Sequence, residues 1–274
     1  MMQPRNFLIY QAYGARWILE QTAFSVLSLL RFSPQSEVVI YTDDKKFFTQ
    51  IFGEKSNFHF EDLSPEKVKQ WRGQIDFVHR VKVEMLIDAS QKYQGNLIYL
   101  DGDTYFKSAP EEVFQQITPE QSLMHVRENV LEQGKDPLSK KLTRFLRQHF
   151  PEIPTKTVMW NAGVLGISPQ AQICLRDVLA ITDKLYSAYQ KHTMEQLAFS
   201  YSLQQHTQVL AAEPWIYHYW NQKDEYNQAI HEFLTRFSKV ESLLAHWSEF
   251  AWPGPAQPKA RGFKKIWQKI VGKK

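Results

Sequence analysis

The apolar run Asn96-Leu-Ile-Tyr-Leu100 stops abruptly at Asp101-Gly102-Asp103, and no other stretch constrains the fold of this chain as tightly. A short apolar run bounded by turn residues reads as a buried strand. In open α/β sheets, ligands sit in the crevice beyond the carboxyl ends of the strands. The two aspartates then project from a strand end into such a crevice. Mg²⁺ and its relatives are held by one or two carboxylates, with substrate phosphates completing the shell. Asp101 and Asp103 are therefore candidates to hold a cation together with a diphosphate. The plainer reading is a turn or a helix cap, both of which Asp favours.

The flanking pattern predicts an α/β fold. Phe7–Tyr10 reads as a strand and residues 16–31 as a helix, with Leu19, Ala23, Val26, Leu27 and Leu30 on one stripe. Ser33-Pro34 breaks that helix, and Val38–Tyr41 forms a second strand. A β-α-β start of this kind implies a parallel sheet. A short helix over 45–53, a possible strand over 58–60 and a helix over 78–92 lead into the D-x-D strand. Beyond Phe106 the pattern predicts a strand over 122–126, an amphipathic helix over 137–149 and an interrupted strand over 158–167. Helices over about 170–190 and 193–205, a final strand over 208–211 and one long helix from about 222 to 248 complete it.

With 274 residues the chain is long enough for a sizeable core, in one large α/β domain or two small ones. The apolar run at the N-terminus is too short for a secretory core segment, and Trp17–Leu30 is too short to span a bilayer. The single cysteine, Cys174, cannot form an intrachain disulfide and fits a reducing compartment. The formal charge is +4, but residues 251–274 hold seven Lys and Arg and no acid, which leaves −3 on the rest. Basic charge confined to a tail argues against a nucleic-acid partner. The expected organisation is one domain over 1–250, then a Pro-rich spacer and basic tail over 251–274. In that tail Phe263, Ile266, Trp267, Ile270 and Val271 share one face of a helix over 259–272, with lysines around it. Such a helix suits an anionic membrane surface, which places the chain peripherally on the cytoplasmic face of the cell membrane.

Four further motifs follow the same order as the predicted elements. Arg80 lies on the helix before the D-x-D strand. Asn161-Ala162-Gly163 offers an amide beside a glycine, where backbone can approach a ligand closely. Glu195-Gln196 opens a helix, where the dipole favours an acid. His218 is a possible third metal ligand, since imidazole is a common one. Taken singly, each has a bland explanation: a solvated arginine, a turn, a helix start and a packed histidine.

In this order the chain resembles GT-A glycosyltransferases, most closely the family-8 group of glycogenin and bacterial lipooligosaccharide galactosyltransferases, over roughly residues 5–225. The resemblance implies a GT-A type Rossmann-like mixed sheet flanked by helices. It implies that Asp101, Asp103 and His218 bind Mn²⁺ or Mg²⁺ with the diphosphate of a nucleotide sugar, a UDP-sugar, around Gly102. It also implies that Arg80 contacts the donor and that Asn161, with Ala162 and Gly163, meets the donor sugar. Glu195 and Gln196 would lie near the reacting carbon, and transfer would be retaining, to a glycan or glycolipid hydroxyl in cell-surface polysaccharide or lipopolysaccharide synthesis. The sequence departs from the family in having Glu-Gln for the usual Asp-Gln. It also lacks the late Gly and has Lys223 five rather than six residues after His218, which leaves the diphosphate role of Lys223 open.

The nucleobase is expected at the first strand ends, at Gln11, Ala12, Tyr13 and Asp43, with Tyr13 stacking on it. The acceptor is expected along 125–160, where Arg127, Lys140, Lys141, Arg144 and Arg147 fit an anionic lipid-linked partner or a solvated helix face. Two other classes compete. Haloacid-dehalogenase-like phosphatases carry D-x-D-x-T/V, but here Tyr105 stands at the last position and no later Asp pair follows. A non-catalytic nucleotide-sugar-binding protein would not need Glu195.

Overall fold

The computed structural model of the protein describes residues 5–135 and 137–254. Its first half alternates strand and helix: β1 (Arg5–Ala12), α1 (Arg16–Leu30), β2 (Glu37–Thr42), α2 (Lys45–Phe52), β3 (Phe58–Asp62), α3 (Pro65–Arg72), α4 (Arg80–Lys92) and β4 (Gly95–Leu100). Shorter elements follow: β5 (Thr104–Phe106), α5 (Pro110–Phe114), β6 (Gln121–Met124), β7 (Arg127–Val130), α6 (Pro137–His149), β8 (Val158–Trp160) and β9 (Val164–Ile167). Then come α7 (Leu175–Ala188), α8 (Met194–His206), β10 (Gln208–Ala211), β11 (Ile216–His218), α9 (Lys223–Phe237) and α10 (Val240–Ala245).

Local chemistry sets several boundaries. The Asp44 carboxylate accepts a hydrogen bond from the Phe47 amide and caps α2. Ser64 does the same for α3, with Pro65 at its first position, where the missing N–H costs nothing. Gly53 and Gly73, both at positive φ, end these two helices.

Seven strands form one mixed sheet in the order β10-β6-β9-β4-β1-β2-β3. The β1, β2, β3 and β4 neighbours pair in parallel, whereas β9 runs antiparallel to both β4 and β6. Alternate residues of each central strand feed opposite faces. Leu8, Tyr10, Val38, Ile40, Ile98 and Leu100 pack with α1, α9 and α10. Phe7, Ile9, Val39, Tyr41, Leu97 and Tyr99 pack with α4, α7 and α8. Burial on both faces explains why these strands read as unbroken apolar runs.

Three features differ from the sequence-based expectation. The predicted helix over 222–248 is broken at Ser238, whose left-handed φ of 52° ends α9. The chain folds back there, so that Trp247 stacks on buried Phe24 at 5.0 Å and Phe250 packs tilted against it at 4.4 Å between ring centres. Residues 208–211 are not the last strand, because β11 pairs antiparallel with β5 and sets His218 opposite Thr104. The helix over 78–92 starts at Arg80, and α3 precedes it. The amphipathic tail predicted over 259–272 lies outside the described residues, as does the spacer beyond Gly254. Among the described residues no helix is long and apolar enough to cross a membrane.

Candidate active site

Strand direction assembles the site. The parallel strands β1 and β4 end at one sheet edge, where Tyr10 pairs with Leu100. Antiparallel β9 begins at that same edge, with Val164 beside Leu100. Asp101, just after β4, and Gly163, just before β9, therefore meet, and the Asp101 amide donates to the Gly163 carbonyl at 2.8 Å. The β5–β11 pair then turns back over this edge. The Tyr219 amide donates to the Asp103 carbonyl at 3.0 Å, which brings His218 over the two aspartates.

A cleft of about 410 Å³ opens here. It is lined by Asp101, Gly102, Asp103, Asn161, Ala162, Gly163, Glu195, Gln196, Lys223, Gln11 and Tyr13, all singled out in the sequence. The ligand atoms of Asp101, Asp103 and His218 lie within 4.8 Å of one another. His218 Nε2 stands 3.2 Å from Asp103 Oδ2 and 3.9 Å from Asp101 Oδ2. Its other ring nitrogen, Nδ1, is 3.1 Å from Asn161 Oδ1, which also accepts from the Gly163 amide at 3.0 Å. An Nδ1 proton donated to Asn161 would leave Nε2 as the nitrogen available to a cation held between the carboxylates, the tautomer a metal ligand needs. A Cβ on Gly163 would lie 2.2 Å from His218 Cε1, and one on Gly102 would lie 2.7 Å from Thr22 Oγ1. Only glycine fits either place.

Two lysines neutralise the acids. Lys82 is buried and donates to the Ala162 carbonyl at 3.1 Å. Its ammonium lies 3.4 Å from Asp101 Oδ1 and 3.2 Å from Glu195 Oε1. Lys223 Nζ reaches Asp103 Oδ2 at 2.8 Å. Burial favours the protonated form of both aspartates, but Lys82 beside Asp101, and His218 with Lys223 beside Asp103, outweigh it and hold both below the usual carboxylate range. Glu195 goes the other way. Burial, reinforced by the Asp101 charge and only partly offset by Lys82, pushes it up to about 7. Tyr99 donates its hydroxyl proton to Asp101, and burial with that neighbouring charge drives the phenol pKa far up.

Besides His218, which meets the two aspartates without lining the cleft, three residues expected at the site are not brought into it. Arg80 is bound to Asp183 and Glu84, each at 2.7 Å, and donates to the Trp71 carbonyl. Two residues along a helix turn the side chain by about 200°, so Arg80 faces α7 and Lys82 takes the cleft-facing position. Asp43 accepts from the Gly14 amide at 2.9 Å and braces the loop after β1. Ala12 is fully buried beneath that loop. No residue of 125–160 lines the cleft among the described residues, and Arg127, Lys140, Lys141, Arg144 and Arg147 are all exposed. Lys82, His79, His192, Trp17 and Val78 line it without having been singled out. Burial, with Lys82 nearby, pushes His79 down to about 4. A lysine between Val81 and Val83, on a helix face otherwise apolar, was the available signal for Lys82.

No family model and no curated protein matches the sequence. Solved structures do match. Mouse xyloside xylosyltransferase 1 is 14% identical, over 75% of this chain and 85% of that one, with a TM-score of 0.50. The WbbM bifunctional glycosyltransferase is 12% identical, over 76% of this chain and 39% of that one, with a TM-score of 0.51. A galactosyltransferase, LgtC, crystallised with donor and acceptor sugar analogues, is 12% identical over 71% and 69%, at 0.48. At these identities it is the architecture that is shared: the chain has the GT-A fold of glycosyltransferases.

Proposed function

We propose that the protein is a metal-dependent glycosyltransferase that moves a sugar from a nucleotide-diphosphate donor, a UDP-sugar, to a hydroxyl of a glycan or glycolipid. The observation that carries this reading is the convergence of Asp101, Asp103 and His218 at the strand edge of a GT-A sheet. The donor set fits Mn²⁺ or Mg²⁺, being two carboxylates and one imidazole. Asp103 Oδ2 is buried with no directed hydrogen bond, though the Lys223 ammonium and His218 Nε2 stand beside it. Gln11 Oε1, in the same cleft, is also buried without a hydrogen-bond partner, and Glu195 Oε1 has the Lys82 ammonium at 3.2 Å but no directed hydrogen bond. Unpartnered buried oxygens are costly, and a bound ligand relieves that cost.

When bound, the metal acts as a Lewis acid that neutralises the diphosphate and improves it as a leaving group. Lys82 stands near it as a preorganised cation, and Lys223 reaches in from the surface as a second positive charge. Loss of the diphosphate leaves oxocarbenium character on the sugar, and the role we assign to the buried Glu195 carboxylate in the cleft wall is to stabilise that charge or to attack the anomeric carbon. Gln196, which donates to Glu128 at 3.0 Å, lies next to it at the cleft wall. The family-8 resemblance supports a retaining outcome. The basic tail, read from sequence alone, supports residence on an anionic cytoplasmic membrane face near a lipid-linked acceptor.

The test is a screen of common nucleotide sugars with Mn²⁺, reading nucleoside diphosphate release, on wild type and on Asp101→Ala and Asp103→Ala. Metal-dependent release by wild type and none by either variant is expected. Phosphate release from simple phosphoesters would instead favour the phosphatase reading.

A further inference from the structure

The two aspartates are paired with lysines of very different freedom. Lys82 is 6% exposed and is held by three oxygens, from Asp101, Glu195 and Ala162. The side chain of Lys223 is 42% exposed, and in the cleft it meets Asp103. Lys223 is also the first residue of α9, where a cation stands at the positive end of the helix dipole. The dipole of its own helix therefore does not favour that ammonium, although Asp224 and Glu225 follow it in the first turn. Its position is set by Asp103, which is 3% exposed and is at the same time one of the three candidate metal ligands.

The Lys223 ammonium and a divalent cation would compete for the same carboxylate, that of Asp103, and they repel each other. We propose that Lys223 holds the cation site closed to a bare metal ion, and that the donor diphosphate opens it by drawing the ammonium onto its own oxygens. Metal and nucleotide then enter as one complex, and the site is selective for a metal–diphosphate over either part alone. This rests on the donor reading above and adds an order of binding to it. The exposed stem of Lys223 allows the exchange, whereas buried Lys82 stays with Asp101 throughout.

The test uses Mn²⁺ binding, followed by electron paramagnetic resonance, with and without UDP, corrected for the Mn²⁺–UDP complex in solution. The proteins are wild type, Lys223→Met, Lys223→Gln and Lys223→Arg. Wild type is expected to bind Mn²⁺ weakly alone and much more tightly with UDP. Both neutral variants should bind Mn²⁺ alone about tenfold more tightly than wild type, a change equivalent to about 1.4 kcal/mol, and gain less from UDP. Lys223→Arg, which keeps a cation on Asp103, should behave as wild type. A mere structural prop would weaken metal binding when removed. Unchanged or weaker Mn²⁺ binding in both neutral variants, with wild type still taking up Mn²⁺ and UDP together, would overturn the gate and leave the donor reading standing. No uptake by wild type even with UDP would remove both.

Discussion

The two corners of the acidic site are built from the same residue types, yet they differ in what holds them. The Asp101 corner is closed: Lys82, Tyr99 and Glu195 pack around it, and Lys82 is 8% exposed at its side chain. The Asp103 corner is hinged. The backbone of β5 and β11 sets His218 there, but its lysine reaches in from the surface. Fixed charge preorganises a site at a cost in desolvation, whereas a mobile charge can answer a ligand. The comparison assigns structure to one corner and response to the other.

The largest expected effect breaks the closed corner. Lys82→Met leaves buried Glu195 and partly buried Asp101 without their shared cation, and removing one partner of a buried pair typically costs about 3–5 kcal/mol. Urea unfolding should show that loss, while Lys223→Met should cost less, because Lys223 is itself half exposed and His218 remains beside Asp103. Equal losses would erase the distinction between the corners.

Glu195 sharpens the comparison through turnover. If it stabilises charge that exists only in the transition state, Glu195→Gln should lower kcat by about 10²–10³ with little change in donor affinity. Its pKa also sets a sign. A carboxyl raised from 4.5 to about 7 in the fold binds more protons folded than unfolded between those values. Its contribution to stability is then fully present below pH 4.5 and is lost as pH rises through 7. Unfolding midpoints should therefore fall less steeply across pH 4.5–7 in Glu195→Gln than in wild type. An identical slope in the two proteins would mean that Glu195 ionises normally.

The smallest effect tests how the hinged corner is aimed. Asn161→Ala removes the acceptor for His218 Nδ1. Loss of a group that orients a metal ligand typically weakens metal affinity about 10–100-fold, so calorimetric titration with Mn²⁺ and UDP should show a drop in that range. An unchanged affinity would leave Asn161 with the donor sugar alone.

Much of this site was legible in the sequence because its members sit where periodicity ends. Asp101, Asp103, Asn161 and Glu195 each follow or open a well-marked element, and strand and helix ends can be found by pattern. Even α3, which went unread for want of apolar residues, carries a Ser64-Pro65 start signal. Arg80 and Lys82 show where such reading stops. Both lie on one helix, two residues apart, and which of them enters the cleft depends on the helix's rotation against α7. Asp183 decides that rotation from 103 positions away in the chain.

The sequence by itself determined the alternation of strand and helix through residue 100, the doubly buried strands and the carboxylates at their edge, because burial pattern and turn chemistry are local. The tertiary structure alone decided the rest. The reversal of β9 carries Asn161 to the edge that holds Asp101. The β5–β11 pairing carries His218 across 115 residues to Asp103. The break at Ser238 returns Trp247 to Phe24. Each of these depends on the direction and docking of whole elements, which long-range packing sets and no short window of residues encodes.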